Sequence, residues 1–391
     1  MPAASFNPLV SKLSPPPVPS VFAWGRAYDG ECGPLIDLSQ AVPGYPPHPD
    51  MLAWLAESAG SRAYAGYGPI EGETELRTAY ATEQQAIYGA NVTVDNIHIT
   101  AGCNQAFMAT VSAIAGSGDA VALTDPFYFN QETTLAMMGI RRELIPLVPA
   151  AGFVPTIEGI EAVLAKGVKA VALVSPNNPT GAIYPADLLR QAFEACRKAG
   201  AFLILDETYR DFLPGEGRPH DLLSVEGWEE NLILLYSFSK SFCIPGHRLG
   251  AITAGPRAVA EIAKVMDNLQ ICAPRAPQAA VARAIPALRD WREVNRAEIL
   301  ARAETLKSVM ADLPAWKMDS IGAYFAFIRH PFDGQPSALI AEQLAKRAGI
   351  LCIPGAYFGD SQQAYLRFAF ANADSETIRG LTARLTNFIL D

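Results

Sequence analysis

A chain of 391 residues, half of them hydrophobic and 18% charged, can bury a large core, and at roughly 150 residues per domain it divides into two or three units. Its net charge of −9 gives no overall attraction for a phosphate backbone, so nucleic acid is excluded as an expected partner. No apolar run approaches the roughly 20 residues that span a bilayer, and the opening MPAASFNPLVSKLSPPPVPS lacks the basic and apolar regions of a signal peptide.

Before residue 45 the chain is rich in proline and carries few helix signals. IHI (97–99) reads as a short strand, followed by a glycine turn in TAGCNQAF and a helix expected from 104 to 115. AVAL (120–123), KAVALV (169–174), AFLIL (201–205) and LILL (232–235) are continuous apolar runs, the pattern of strands buried on both faces of a parallel sheet. Between two of them, YPADLLRQAFEACRKAG starts at Pro185 and stops at Lys198 and Gly200, as a crossover helix does. From about 290 a long helical pattern, RDWREVNRAEILARAETLKSVM, leads away from the sheet. GAYFAFI, a helix near 336–348 and YLRFAFA follow it. The expected fold class is α/β: a large domain over 45–290 and a smaller one from 1–44 and 291–391.

In open parallel sheets ligands bind beyond the carboxyl ends of the strands. There the chain places TDPFYFN, SPNNPTG, DETYR and YSFSK, all polar or aromatic and all aimed at one crevice. A lysine at such an end, Lys240, can form a Schiff base once burial lowers its pKa; alone, it reads more readily as a surface cap of the strand. Asp206, directly after AFLIL, needs a cationic partner if buried, and a pyridinium nitrogen is one; otherwise it caps the next turn. Gly102, Cys103 and Asn104 at a helix start, with Ser237, Ser239 and Arg248, are donors suited to a phosphate. The six cysteines include no C-x-x-C pair, so a disulfide scaffold or zinc knuckle is not expected and a reducing cytoplasm is the simplest setting. Cys243 and His247, four apart, are too few for a metal site.

The order NNPTG (177–181), DETY (206–209), SFSK (237–240) and an arginine eight residues after the lysine resembles the fold-type I, pyridoxal 5′-phosphate (PLP) dependent aminotransferases of class I/II. The likeness runs from LIDLSQAVPGYPP near 35 to YLRFAFA near 371. It implies a three-layer αβα large domain, a homodimer and a ping-pong exchange between an L-amino acid and a 2-oxo acid, commonly 2-oxoglutarate. Lys240 would hold PLP as a Schiff base and carry the proton. Asp206 would pair with the ring nitrogen, and Tyr209 and Asn178 with the ring 3-oxygen. Ser237, Ser239, Arg248 and Gly102 to Asn104 would hold the phosphate, and Tyr128 would stack on the ring. Tyr67 would reach the partner's site, and Arg367 would grip the substrate α-carboxylate. Ala41 stands where most relatives have glycine beside the substrate, and His247 replaces a larger apolar or aromatic residue. Arg275 would either bind an acidic substrate side chain or serve the dimer interface.

The same Lys240, Asp206 and Tyr209 would serve a β-eliminating carbon–sulfur lyase. Tyr236 and Lys240 also satisfy the Y-x-x-x-K of short-chain dehydrogenases, but the first 60 residues hold no G-x-G-x-x-G. Aminotransferase-like domains of transcription regulators carry a DNA-binding module, for which this chain has neither a spare segment nor a basic patch.

Overall fold

The four apolar runs become neighbouring strands because each can bury both of its faces. The computed structural model describes residues 4–215 and 217–390. After a two-residue strand β1 (Ile36–Asp37), seven strands form one sheet: β2 (Ile97–Thr100), β3 (Ala120–Asp125), β4 (Arg141–Pro146), β5 (Ala170–Val174), β6 (Phe202–Asp206), β7 (Leu232–Ser237) and β8 (Gly250–Ala254). Their order is β2-β8-β7-β6-β5-β3-β4, and β8 alone runs against the rest. Side chains alternate between two apolar layers: Leu203, Leu205, Leu232 and Leu234 join one cluster, Ile204, Ile233 and Leu235 another. Helices such as Ala186–Ala199, ended by Gly200 in the left-handed conformation, connect the strands and cover the sheet.

A second sheet, in the order β12-β13-β10-β9, comprises β9 (Lys317–Gly322), β10 (Phe325–Arg329), β12 (Ile353–Pro354) and β13 (Tyr365–Phe368); β11 (Ile350–Leu351) pairs in parallel with β1. Ile36 and Leu38 from the start of the chain pack with the helix Arg289–Ala311 and with β10 and β13 in a third apolar cluster.

The start of the chain is more helical than its prolines suggest. Pro17–Arg26 is a helix with proline in its first turn, where a missing N–H costs nothing, and it buries its own Val21. The strand in YLRFAFA ends at Phe368 and gives way to a tight turn at Phe370–Asn372.

The two sheets meet at glycines. Gly181 has φ +77°, and a side chain there would run into the Phe325 carbonyl and the Gly322 backbone. This close approach seats the 175–181 turn on the β9–β10 hairpin. Gly181→Ala is therefore expected to destabilise the protein by about 3 kcal/mol. Gly66→Ala, which meets nothing within 4 Å, serves as the control in the same urea titration.

Candidate active site

β2, β3, β5, β6 and β7 share one direction, so their carboxyl ends open on one edge. There a cavity of about 160 Å³ is lined by Cys103, Asn104, Tyr128, Val174, Asn178, Asp206, Thr208, Tyr209, Ser237, Ser239, Lys240, Pro245 and Arg248. All but three of these were singled out from the sequence.

Asp206 ends β6 between Val174 and Leu235 and is buried. Its Oδ1 accepts from the Thr208 amide (3.0 Å) and hydroxyl (2.7 Å), and its Oδ2 from Gln131 Nε2 (3.3 Å). Burial raises its pKa, while Thr208 and the Cys103 thiol oppose the rise by donating to the charged form. Thr208 was legible as an Asx turn two residues after an aspartate. Gln131, 75 residues away, had no signal.

Lys240 sits in a single helical turn, Phe238–Ser241, capped by Ser237. Its Nζ donates to the Ala41 carbonyl. Burial, then the positive charges of Arg248 and Arg367, lower its pKa from 10.5 to about 8. The hydroxyl of Ser239 is buried without a partner.

Arg248 occupies the left-handed region (φ +50°) and donates to the carbonyls of Pro245 (3.1 Å) and Ala101 (3.3 Å). Gly102 must lack a side chain, because its φ is +90° and a Cβ would collide with Arg248 Nη2. Gly250 lies between Thr100 and Ser237, and a Cβ on it would come within 2.8 Å of the Gly102 carbonyl carbon. The lysine turn and the start of helix Cys103–Ile114 are thus brought side by side, with Arg248 between them. Free helix amides, Ser239 and a guanidinium make a site for a phosphate-sized anion.

Arg367, in the middle of β13, is buried and has no acidic partner among the described residues. Its Nη1 donates to Asn178 Oδ1 (3.0 Å) and its Nη2 to the Ser39 carbonyl, while Nε has no partner. The guanidinium lies 4.8 Å from the Phe325 ring and 5.1 Å from the Phe358 ring. Burial lowers its pKa to about 10. Asn177 shapes the turn that presents Asn178, accepting from the Thr180 amide and hydroxyl. Tyr209 packs on Tyr324 and Phe325, and the Tyr128 hydroxyl accepts from Asn130 (2.8 Å).

Other predicted residues lie elsewhere. Tyr67 is 80% exposed and does not line the cavity of its own chain. Arg275 pairs with Glu73 (2.5 Å) and donates to the Gly66 carbonyl (3.0 Å), so its charge is paired within its own chain. His247 is exposed in the turn before Arg248. Tyr236 ends in hydrogen bonds with Asp211 (2.5 Å) and Ser241 (2.6 Å) and lies on β7, so it shares no helix face with Lys240. Among the described residues no three His, Cys, Asp or Glu side chains form a metal cluster.

The family model for aminotransferase class I and II matches residues 34–385. An aromatic aminotransferase of Arabidopsis thaliana is 28% identical over 372 residues, 93% of this chain and 92% of its own. An aspartate aminotransferase of Pyrococcus horikoshii is 25% identical, covering 85% of each chain. A double mutant of Thermus thermophilus aspartate aminotransferase superposes with a TM-score of 0.89 over 98% of this chain and 99% of its own at 22% identity, a likeness of fold.

The low pKa of Lys240 has a measurable consequence. Only the neutral amine attacks an aldehyde, and burial, Arg248 and Arg367 all disfavour the protonated form, outweighing an opposing effect of Cys243. Reductive methylation of Lys240 in the cofactor-free protein, followed by peptide mass spectrometry, is expected to reach half its maximal rate at pH about 8. Exposed lysines should do so near 10.4. Arg367→Met, which removes one of the positive charges, should move the Lys240 midpoint upward.

Proposed function

Since this chain belongs to the class I and II aminotransferases and is a PLP-dependent transaminase, we propose that Lys240, Asp206, Tyr209, Asn178 and Arg367 carry its transfer of an amino group between an L-amino acid and a 2-oxo acid, with 2-oxoglutarate as the expected acceptor. One observation carries the assignment. A lysine with a pKa of about 8 stands in the same crevice as a buried carboxylate and near a buried guanidinium that has no acidic partner among the described residues.

The residues present fit the cofactor. The unpartnered Ser239 hydroxyl, Ser237, Arg248 and the helix start at Gly102, Cys103 and Asn104 would hold its phosphate. Asp206 would hold the proton on its ring nitrogen, Asn178 and Tyr209 would donate to its ring oxygen, and Tyr128 would cover its face. When bound, PLP supplies an electrophilic carbon and an electron-poor ring that spreads negative charge away from the substrate Cα.

The chain supplies position and protons. Lys240 Nζ is unprotonated above pH about 8, so it can take the proton from the substrate Cα without first shedding its own. The donors around Asp206 offset part of the rise that burial causes, and in so dry a site its attraction for a ring-nitrogen proton would be strong. Arg367 is anchored by Asn178 and the Ser39 carbonyl, which fixes the guanidinium plane against which an α-carboxylate binds. Ala41 tethers Lys240 through its carbonyl, and a methyl group in place of glycine would narrow the room for the substrate.

Residues 45–290 form the cofactor-binding domain in this reading, and 1–44 with 291–391 the smaller one. Exposed Tyr67, with Leu269 and Ile271 also exposed, supports a homodimer in which Tyr67 enters the partner's site. No helix among the described residues is long and apolar enough to cross a membrane, and a cytoplasmic setting agrees with the six free cysteines.

The test is a panel of L-aspartate, L-glutamate, L-tyrosine and L-phenylalanine offered with and without 2-oxoglutarate, following 2-oxo acid, new amino acid and ammonia. Amino transfer to the acceptor is expected, and ammonia released without any acceptor would instead establish the lyase reading. Lys240→Ala should abolish turnover. Arg367→Lys should raise KM about a hundredfold and change kcat far less, because a buried carboxylate loses its bidentate partner. Sedimentation velocity should give the mass of a dimer.

A further inference from the structure

The mechanism leaves a buried polar cluster unused. Directly behind Lys240, Asp211 Oδ2 accepts from the Tyr236 hydroxyl (2.5 Å) and from the Ser241 hydroxyl, and these two hydroxyls lie 2.6 Å apart. Arg210 stacks its guanidinium 4.1 Å from the Tyr236 ring, with its Nε 3.9 Å from Asp211 Oδ1. Arg292 lies 5.3 Å from the ring of Phe242 and binds Glu83 (2.7 Å). Asp211 and Arg210 side chains are 13% and 2% exposed. Burial works against the charge on Asp211, yet Arg210, Arg292, Ser241 and Tyr236 together hold its pKa below the usual value.

The placement of this carboxylate matters more than its strength. Asp211 closes the segment that carries Asp206 and Tyr209, and Ser241 directly follows Lys240. The ladder between β6 and β7 ends at Asp206 and Leu235, with one further bond from the Glu207 amide to the Leu235 carbonyl (2.8 Å). Past that point Asp211 joins the two segments by hydrogen bonds, beside the stacking of Arg210 on Tyr236. A four-residue helical turn has little stiffness of its own. Pinning Ser241 Oγ therefore fixes the direction in which Lys240 leaves the turn, measured from Asp206.

We propose that Asp211 is a positioning residue for Lys240: through Ser241 and Tyr236 it locks the lysine turn to the segment that carries Asp206 and Tyr209. The inference rests on the role assigned to Lys240 above. Because a displacement of about 1 Å at a reacting group can cost up to a hundredfold in rate, loss of the lock should appear in kcat.

Ser241→Ala removes one arm of the lock and leaves Asp211 and its arginines in place, and Ser241→Thr keeps the hydroxyl. The PLP-loaded proteins are compared with whichever amino acid of the four-member panel the wild type converts fastest, together with Tm and the visible absorbance band of lysine-bound PLP. Ser241→Ala should lower kcat about tenfold with KM within about twofold of wild type and Tm nearly unchanged. Ser241→Thr should recover most of the loss. The proposal is overturned if Ser241→Ala turns over like the wild type, if Ser241→Thr is as slow as Ser241→Ala, or if the loss follows a fall in Tm. A wild type that shows neither turnover nor the absorbance band would sink the reading of Lys240 itself, and the lock with it.

Discussion

Taking a charge out of water costs several kcal/mol unless protein groups replace the lost hydration, and this chain does so repeatedly at one edge of a sheet. Asp206 recovers part of the loss from Thr208, Gln131 and Cys103, and Arg367 from one amide oxygen, one backbone carbonyl and two aromatic faces. Lys240 receives a single carbonyl, and burial lowers its proton affinity as it lowers that of Arg367, to about 8 and about 10. The two cations therefore differ in what they can do near neutral pH. Arg367 keeps its charge there, and Lys240 is left able to change its own.

That division depends on the backbone geometry beneath it. Parallel strands bring Asp206, Ser237 and the Gly102 turn to a common edge, and glycines at 102, 181 and 250 allow main chains to approach where any side chain would intrude. The second sheet reaches the crevice at two points: Gly181 rests on Gly322, and Arg367 reaches Asn178. Asn178 therefore lines the crevice on one side and is fixed by a residue 189 positions later on the other.

The sequence made legible what lies in short runs. The strands were visible as continuous apolar segments, and Lys240, Asp206, Asn178 and Arg248 stood out because they directly follow such segments or the motifs tied to them. Arg367 was visible as a charge inside an apolar strand. Contacts made by main-chain atoms or between distant segments left no such trace. The Ala41 carbonyl on Lys240 joins residues 199 apart, Glu73 and Arg275 are 202 apart, and Asp211 and Ser241 are 30 apart. An aspartate that is to meet a serine looks, in sequence, like any other surface aspartate; only the strand order brings them together. The helix at Pro17–Arg26 was missed for a different reason, since prolines that break a helix interior are harmless in its first turn.

The bond from Lys240 to residue 41 has an evolutionary side. Its acceptor is a peptide oxygen, which all twenty amino acids possess, so the bond does not depend on which side chain residue 41 bears. Alanine, glycine or something larger at that place would leave the lysine's anchor unaltered, while the side chain itself meets the apolar cluster of the second sheet. A lineage could thus vary position 41 by single substitutions, with the tether of Lys240 shielded from the change.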